Sequence, residues 1–435
     1  MLGGKKVKKT VSIFTLALCL LVLMSYPVLA KTINVWTGFP ELEPFYKWAG
    51  AEFSKTHPDI EVKVLSTSLR EFEQKLVTSI PTGTGPEVFD VGPYIAIKLI
   101  DAGLLPVNPP ELDSYLKSGA WSQFAVDYVT IKGKTYGLPL MNGSRAALFC
   151  NKDMFKEAGL DPNKPPTTYK ELMEAAQKLT TYDKSGNVIR SGLSLRISGG
   201  GSGLTEKFRF VLHNAGADLI VPTGDGKWKN GIDNEAGRDA LRYYIDALHK
   251  YKVDDPQVKH DSDAFVTDTT AMFLRESWVI GEVKSKNPNL NYGVAPMPGW
   301  RRHDTLSQPW AIYMSSEGAK SKEVVEFMKF LTSTQAAPQL IELSGWIPER
   351  NFDSASLVKE TPQYEFFVNP PKEIGFYADP VIPAFDEIQT KIADELMEAF
   401  LNKKLVDNPK GIEKTVRKMA NMIDSILKRY KAYGK

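Results

Sequence analysis

The sequence predicts an α/β protein divided into two lobes with a hinged cleft between them. Short segments that alternate apolar and polar residues, at 33–35 and 60–64, predict strands, and stretches with apolar residues at helical spacing lie between and after them. About 405 of the 435 residues remain once an N-terminal signal is removed, and chains of this size form two or more cores. Because no long low-complexity linker interrupts them, we expect ordered segments to join the lobes.

The first 30 residues follow the pattern of a secretory signal peptide. Four lysines between positions 5 and 9 precede an apolar run at 11–24, and Val28 and Ala30 then offer a small-residue cleavage site. That run is shorter than the roughly 20 residues a spanning helix needs, so an uncleaved anchor is the less favoured alternative. We expect cleavage near Ala30 and a periplasmic mature protein.

The two cysteines indicate neither a lipid anchor nor a disulfide. Cys19 lies inside the apolar run behind the bulky Leu18, which does not suit lipid attachment. If Cys19 leaves with the signal, Cys150 is the only cysteine of the mature chain and no intramolecular disulfide can form. Stability is therefore expected from burial.

Charge and missing motifs exclude several function classes. The chain carries 54 Lys and Arg against 52 Asp and Glu, which does not indicate a nucleic acid or an anionic membrane as partner. The sequence contains no zinc-protease, phosphate-loop, nucleophile-elbow or paired Cys-x-x-Cys motif, and its five histidines are scattered. We expect no catalytic residue, metal or cofactor and therefore no enzyme, although spacing along the chain leaves a pair of glycosidase carboxylates open.

Local patterns predict the following elements. Apolar spacing predicts helices at 96–104, 169–179, 235–251, 323–331, 388–401 and 412–430. Thr168 and Glu171 have the spacing of a capping box at the start of the second of these. Turns are expected at 183–187 and 223–226, and a flexible glycine-rich loop at 198–203.

Residues 138–179 resemble the extracellular solute-binding proteins of sugar-importing ABC transporters. The resemblance rests on Asn151-Lys-Asp153, Ala158-Gly-Leu160 and Pro165-Pro-Thr-Thr168, which follow one another in the family's order. Six further blocks extend it over nearly the whole mature chain, at 32–39, 85–94, 268–283, 291–299, 307–316 and 344–351.

The resemblance implies the two-lobed fold of the maltose-binding and glycerol-3-phosphate-binding proteins, in which the chain crosses between lobes more than once. We place the crossings near Leu140, Pro298 and Gln335. The first lobe would then comprise residues 31–140 and 299–335, and the second residues 141–298 and 336–435. Residues 1–30 form the signal.

A sugar has weakly apolar C–H faces and a rim of hydroxyls, so its site needs aromatic planes and planar polar side chains. By resemblance, loops after the first and third strands of the first lobe supply Trp36, Thr37, Gly38, Glu41, Asp90 and Tyr94. The crossing, the second lobe and the 199–202 loop supply Asn142, Arg145, Gly200, Ser202, Glu276, Trp278 and Trp346. Trp310 would lie where the chain re-enters the first lobe.

Each candidate also has a structural interpretation. Trp36 could cap the core, isolated charged residues at loops usually face water, and the glycines could form a surface turn. We interpret the remaining tryptophans as core or surface residues; they are Trp48, Trp121, Trp228 and Trp300.

The resemblance implies a monomeric receptor that captures a mono- or oligosaccharide and delivers it to the permease subunits of an ABC transporter in the membrane. Arg145 could equally serve a phosphate, so a receptor for glycerol-3-phosphate or a related phosphorylated solute is the alternative. A secreted glycosidase is a third hypothesis. Closure of the lobes around the ligand would bias the hinge equilibrium.

Overall fold

The computed structural model describes residues 31–197, 202–259 and 261–434. The predicted signal peptide, Cys19 and Gly200 lie outside the described residues. The strands are β1 Lys31–Thr37, β2 Ile60–Ser66, β3 Val88–Val91, β4 Thr130–Ile131, β5 Lys134–Thr135, β6 Leu138–Asn142, β7 Ala146–Asn151, β8 Thr181–Tyr182, β9 Val188–Arg190, β10 Ile220–Pro222, β11 Trp228–Asn230, β12 Met272–Glu276, β13 Tyr292–Ala295, β14 Asp304–Leu306, β15 Pro309–Met314 and β16 Gly375–Tyr377.

Helices cover the sheets and fill the C-terminal part of the chain. They are α1 Glu43–Thr56, α2 Leu69–Thr82, α3 Pro93–Asp101, α4 Pro110–Leu116, α5 Gln123–Tyr128, α6 Lys152–Glu157, α7 Tyr169–Leu179, α8 Ser202–Ala215, α9 Glu235–Ile245, α10 Asp261–Val266, α11 Trp278–Lys286, α12 Lys322–Leu331, α13 Ala336–Ser344, α14 Ala355–Glu360, α15 Glu365–Val368, α16 Ala384–Phe400 and α17 Pro409–Arg429. Single 3₁₀ turns stand at Pro40–Leu42, Gly318–Lys320, Pro362–Tyr364 and Lys403–Leu405, and a π-helical turn, Asp246–Lys250, extends α9. None of the helices in the described ranges is both long and apolar enough to cross a membrane.

The first sheet has the strand order β2-β1-β3-β15-β6. β1 runs parallel to β2 and β3, whereas β15 runs antiparallel to β3 and β6. Alternate residues of β1, among them Ile33 and Val35, are buried in a core that also takes in α1, α3 and α12. Since β1 and β3 are parallel, the loops after them meet at one edge of this sheet.

The second sheet is an antiparallel set in the order β12-β7-β13. Its central strand β7 is buried along its whole length, and successive side chains enter different cores. Leu148 and Cys150 pack with α7, α8, α9, α16 and α17, whereas Ala147 and Phe149 pack with α11 and α15. Cys150 is a free, buried thiol.

Three stretches of chain run side by side between the two sheets. The chain leaves β6 at Asn142 and enters β7 at Ala146, and it returns through Ser307 to β15. The segment after α13 lies alongside, because the Asn142 amide donates to the Ile347 carbonyl at 2.9 Å and the Glu349 amide donates to the Leu140 carbonyl at 3.0 Å. Backbone hydrogen bonds therefore tie the crossing stretches to one another.

Helix α13 packs against both sides of this boundary. Ala336 and Leu340 belong to the core of the first sheet, whereas Ile341 belongs to a core of the second. The lobe boundaries inferred from the resemblance, including the assignment of 336–435 to the second lobe, stay a prediction.

Most predicted elements are present with shifted ends. The helix predicted at 96–104 is observed as α3, which begins and ends three residues earlier. The helix predicted at 235–251 is regular only as far as Ile245. The prediction that the glycine-rich loop reaches residue 203 is wrong, because α8 already begins at Ser202 and its apolar residues from Leu204 onward pack into the core. Residues 198–201 lie outside the described ranges.

The capping box before α7 is formed. The Glu171 amide donates to Thr168 Oγ1 at 3.1 Å, and the Thr168 amide donates to Glu171 Oε2 at 3.3 Å. Thr168→Ala should lower the free energy of unfolding by about 1 kcal/mol, since one amide of the first turn loses its partner. Urea denaturation would measure the change, with Thr168→Ser as the control that keeps the hydroxyl. Equal losses in both variants would contradict this explanation.

Candidate functional site

Thr37 ends β1, and Gly38 and Glu41 lie in the turn that follows it at the edge of the first sheet. Thr37 is fully buried and its hydroxyl accepts a hydrogen bond from the Phe39 amide at 3.0 Å. A Cβ on Gly38 would lie 2.7 Å from the Phe72 ring, so only glycine lets the turn pass α2 this closely. This packing directs the turn toward the boundary between the two sheets.

Five aromatic side chains form a continuous series across that boundary, which we call the aromatic series: Tyr94, Trp310, Phe39, Trp346 and Trp278. Successive ring centres are 6.1, 4.7, 5.9 and 6.5 Å apart. The half-buried Trp278 packs against cores of both sheets. The predicted Tyr94, Trp310, Trp346 and Trp278 are therefore brought together.

Glu41 meets the aromatic series from the turn after β1. Trp346 Nε1 donates to Glu41 Oε1 at 3.1 Å, which joins two residues 305 positions apart. Burial raises the pKa of Glu41, although the Trp346 hydrogen bond and the charge of Arg275 oppose the shift. Glu41 thus presents a partly buried carboxyl group beside the Trp346 indole ring.

Glu276 belongs to a buried charge cluster with Lys207 and Arg275. Glu276 Oε1 makes a close ion pair with Lys207 Nζ, and Oε2 accepts from Arg275 Nη1 and Trp278 Nε1, each at 3.1 Å. Burial would raise the pKa of Glu276, but the charges of Lys207 and Arg275 lower it overall. The guanidinium of Arg275 also stacks 4.9 Å from the Trp278 ring centre, so the cluster orients that indole.

Asp90 lies behind this surface. It is 1 % exposed and accepts a hydrogen bond from the Tyr46 hydroxyl at 2.7 Å. Burial raises its pKa to about 7, against the hydrogen bonds from Tyr46 and Thr37 that lower it. The contacts place the Asp90 carboxyl beneath the turn after β1 rather than in the aromatic series.

The raised pKa of Asp90 predicts a pH effect on stability. A carboxyl group with a folded pKa near 7 binds its proton more tightly in the folded state than in the unfolded state, where the pKa is about 3.9. Its contribution to stability is therefore present at low pH and is lost as the pH rises from about 4 to about 7. Asp90→Asn should reduce that fall in denaturant titrations at a series of pH values, and an unchanged pH profile would contradict it. The exposed Asp225→Asn is the control.

Asn142 and Arg145 connect the crossing stretches to one another and are not part of the aromatic series. Asn142 Nδ2 donates to Ser307 Oγ at 3.0 Å, and Arg145 donates through Nη2 to the same oxygen at 3.2 Å. Arg145 also makes a close contact with the Phe367 carbonyl. Burial lowers the pKa of Arg145, and the opposing charge of Glu349 partly compensates.

The remaining candidates have other surroundings. Trp36 is half-buried, and Lys75 Nζ stands 4.7 Å from its ring centre; within the described part of the chain it makes no ring contact with another candidate. Ser202 is buried at the first residue of α8. The tryptophans interpreted as core or surface residues agree with that interpretation: Trp121 is buried, Trp48 and Trp228 are half-buried, and Trp300 is exposed.

Sequence reasoning missed Phe39, Lys207 and Arg275. Phe39 stands in the same block as Trp36 and Gly38, and Arg275 immediately precedes Glu276, so both were within reach of the pattern. Lys207 lies on helix α8, 69 residues from Glu276 at the end of β12, and carried no local signal.

A family model and several known proteins match most of this chain. The family model described as bacterial extracellular solute-binding protein matches residues 37–338. Among curated relatives, the sn-glycerol-3-phosphate-binding periplasmic protein UgpB of Agrobacterium fabrum is 23 % identical over 362 residues, which cover 72 % of this chain and 79 % of that protein.

Solved structures share the two-lobed fold. An ABC transporter solute-binding protein from Thermotoga lettingae, bound with α-D-tagatose, aligns with a TM-score of 0.77 at 23 % identity over 91 % of this chain and 100 % of its own. The Listeria monocytogenes ABC substrate-binding protein in complex with cycloalternan aligns at 0.76 with 20 % identity over 92 % and 99 %. The family is an extracellular one, which implies a periplasmic or secreted location. The chain belongs to the bacterial extracellular solute-binding protein family.

Proposed function

We propose that this protein is the substrate-binding subunit of an ABC importer and that it captures an uncharged mono- or oligosaccharide at the aromatic series. The observation that carries the proposal is the meeting of indole rings with the Glu41 and Glu276 carboxylates at the boundary of two lobes. Aromatic planes suit the C–H faces of a sugar, and carboxylates accept hydrogen bonds from adjacent hydroxyls. The sugars bound by the Thermotoga and Listeria proteins support this ligand class.

The charge cluster favours a neutral ligand over a phosphorylated one. Lys207 is paired with Glu276 and Glu206, and Arg275 is paired with Asp261 and Glu276. A phosphate dianion brought here would have to displace carboxylates from their buried partners, which is costly. The similarity to UgpB keeps glycerol-3-phosphate as the second candidate.

Delivery of the solute to the membrane would depend on movement of the two lobes about the crossing stretches. Chain segments tied together at Asn142, Ser307 and Ile347 suit a hinge on which the lobes close around the ligand. The closed form would dock on the permease subunits. The protein would act as a monomer in the periplasm after cleavage near Ala30, without a lipid anchor at Cys19, and would release its solute chemically unchanged.

Thermal shift with a panel of sugars and glycerol phosphates tests the proposal. A ligand that binds only the folded protein raises the melting temperature, so intact sugars should stabilise the mature protein and glycerol-3-phosphate should not. Stabilisation by glycerol-3-phosphate alone would select the second candidate. Release of smaller sugars during incubation would identify a glycosidase.

Trp278→Ala should weaken binding of the stabilising sugar at least tenfold, since one aromatic wall of the site is removed; tenfold corresponds to about 1.4 kcal/mol. Isothermal titration calorimetry would measure the affinity. The matched control is Trp228→Ala, a half-buried tryptophan that packs against the core of Leu148. Equal affinities of the Trp278 variant and the unaltered protein would contradict the assignment of this ring.

A further inference from the structure

A groove opens on the outside of α7 and α9, away from the aromatic series. It has a volume of about 820 Å³ and is lined by one face of α7, the C-terminal half of α9 with the residues that follow it as far as Tyr251, and the 299–301 loop. It shares no lining residue with the candidates at the lobe boundary. Its volume is within the range of about 300–1,000 Å³ that is typical of small-molecule sites.

Aromatic rings form one wall of this outer groove. Trp300 is 40 % exposed, and its ring centre lies 6.1 Å from those of both Tyr169 and Tyr243. The loop that carries Trp300 is anchored, since the Gly299 amide donates to the Thr167 carbonyl at 2.8 Å and the Tyr169 amide donates to the Gly299 carbonyl at 3.1 Å. The exposed indole is therefore held in place over the groove.

The charges that line the groove balance one another. Asp239 accepts from Arg242 at 2.7 Å and from Arg301 at 2.5 Å, and Lys170 lies 3.9 Å from Glu174. The three cationic lining residues Lys170, Arg242 and Arg301 are matched by three carboxylates, the third being Asp246, so the groove has no excess of either sign with which to attract an ion. A neutral ligand suits this lining better than a phosphate or an ammonium ion.

Two polar atoms in the groove wall have no partner within the described residues. They are the hydroxyl of Tyr169, which is 2 % exposed, and Asp246 Oδ1. Burying a polar atom without a hydrogen bond is unfavourable, so a ligand that brings hydroxyl groups to this wall would relieve that cost. The groove lining therefore combines aromatic rings with unsatisfied polar atoms, the two kinds of group that a pyranose needs.

We infer that the outer groove is a second saccharide site, which holds a neutral glycan chain against Trp300 on the outside of the protein. A chain bound there would not be enclosed by lobe closure. The groove would therefore keep the receptor on a polysaccharide whose released sugars the lobe boundary captures. Glycan binding in the outer groove does not depend on which solute binds at the aromatic series, whereas the role given to it here rests on the proposed function.

Affinity electrophoresis in gels containing glycogen, laminarin or galactomannan tests this site. We expect at least one of these polymers to retard the unaltered protein and the Trp278→Ala variant alike. Trp300→Ala should lose at least tenfold in apparent affinity, and Trp300→Phe should keep part of the retardation. Phe124→Ala removes a ring of similar exposure, 47 % against 40 % for Trp300, that does not line the groove, and this variant should migrate as the unaltered protein does.

Three results would overturn the inference. They are no retardation by any of the three polymers, unchanged retardation of Trp300→Ala, and loss of retardation in Trp278→Ala, which would assign polymer binding to the lobe boundary. The melting temperature of Trp300→Ala checks that it is folded, and Trp300→Phe provides the test if it is not. Failure of the proposed function would appear separately, as no thermal shift with small sugars.

Discussion

Replacing Trp346 with alanine is expected to abolish detectable ligand binding and to lower the free energy of unfolding by about 3–5 kcal/mol. Trp346 is 2 % exposed, stands between Phe39 and Trp278 in the aromatic series, and donates to Glu41. Its removal leaves a cavity, removes one wall of the site and leaves the Glu41 carboxyl group without the N–H that donates to it. No other single change in the described site combines all three effects.

Two milder variants separate binding from folding. Trp346→Phe keeps an aromatic ring but loses the N–H, and Glu41→Gln keeps an acceptor oxygen but loses the charge. Hydrogen bonds to charged groups contribute about 1.5–3 kcal/mol, so the double-mutant cycle should show coupling of that order in urea denaturation. Additive effects of the two changes would mean that the 3.1 Å contact contributes nothing in solution.

Lys207→Met is expected to cost about 3–5 kcal/mol at neutral pH, because it leaves the Glu276 carboxylate buried without its nearest cation. The side chains of Lys207 and Glu276 are only 6 % and 4 % exposed, so water cannot replace the missing partner. The matched control is Lys284→Met, which breaks an exposed pair with Glu342 and should change stability by at most about 1 kcal/mol.

The pH dependence gives this prediction its sharpest test. The pKa of Glu276 is lowered in the folded protein, so its ion pairs contribute stability above the unfolded pKa of about 4.3, and this contribution is lost as the pH falls through the folded value. The penalty of Lys207→Met should therefore shrink in acid, where Glu276 is protonated and no charge is left unpaired. A penalty that stays constant from pH 7 to pH 3 would indicate lost packing instead.

The same cluster links stability to binding. Glu276 holds the Trp278 indole through a 3.1 Å hydrogen bond, and Arg275 stacks on the same ring. A change in the charge cluster should therefore also displace one wall of the candidate site. Ligand affinity of Lys207→Met, measured on its folded fraction, would report that displacement.

Local sequence patterns predicted much of the fold. The capping box at Thr168 and Glu171 is formed as predicted. Helix ends were placed less well, as α3 shows, because tertiary packing decides where a helix stops. The prediction of two lobes rested on chain length and on the resemblance, and the shared fold of the solved structures confirms it.

The candidate residues fall into two groups, those that meet in the aromatic series and those whose contacts lie elsewhere. Tyr94, Trp310, Trp346 and Trp278 meet in the aromatic series, whereas Asp90 is covered by the turn after β1 and Arg145 holds the crossing stretches. The resemblance implies a binding role for all of these residues alike, so it does not distinguish the two groups. Burial and partner choice, which separate them, depend on residues distant in the chain.

The sequence by itself determined the α/β class, the main helices and the membership that its blocks indicated, because these depend on periodicity, caps and short motifs within a few turns of chain. Only the tertiary structure decided that Glu41 meets Trp346 across 305 residues and that Lys207 neutralises Glu276 across 69. Such contacts form when separate sheets and helices pack together. The physical reason is that desolvation and charge pairing act through space, and no spacing along a single chain encodes which carboxylate will be buried beside which cation.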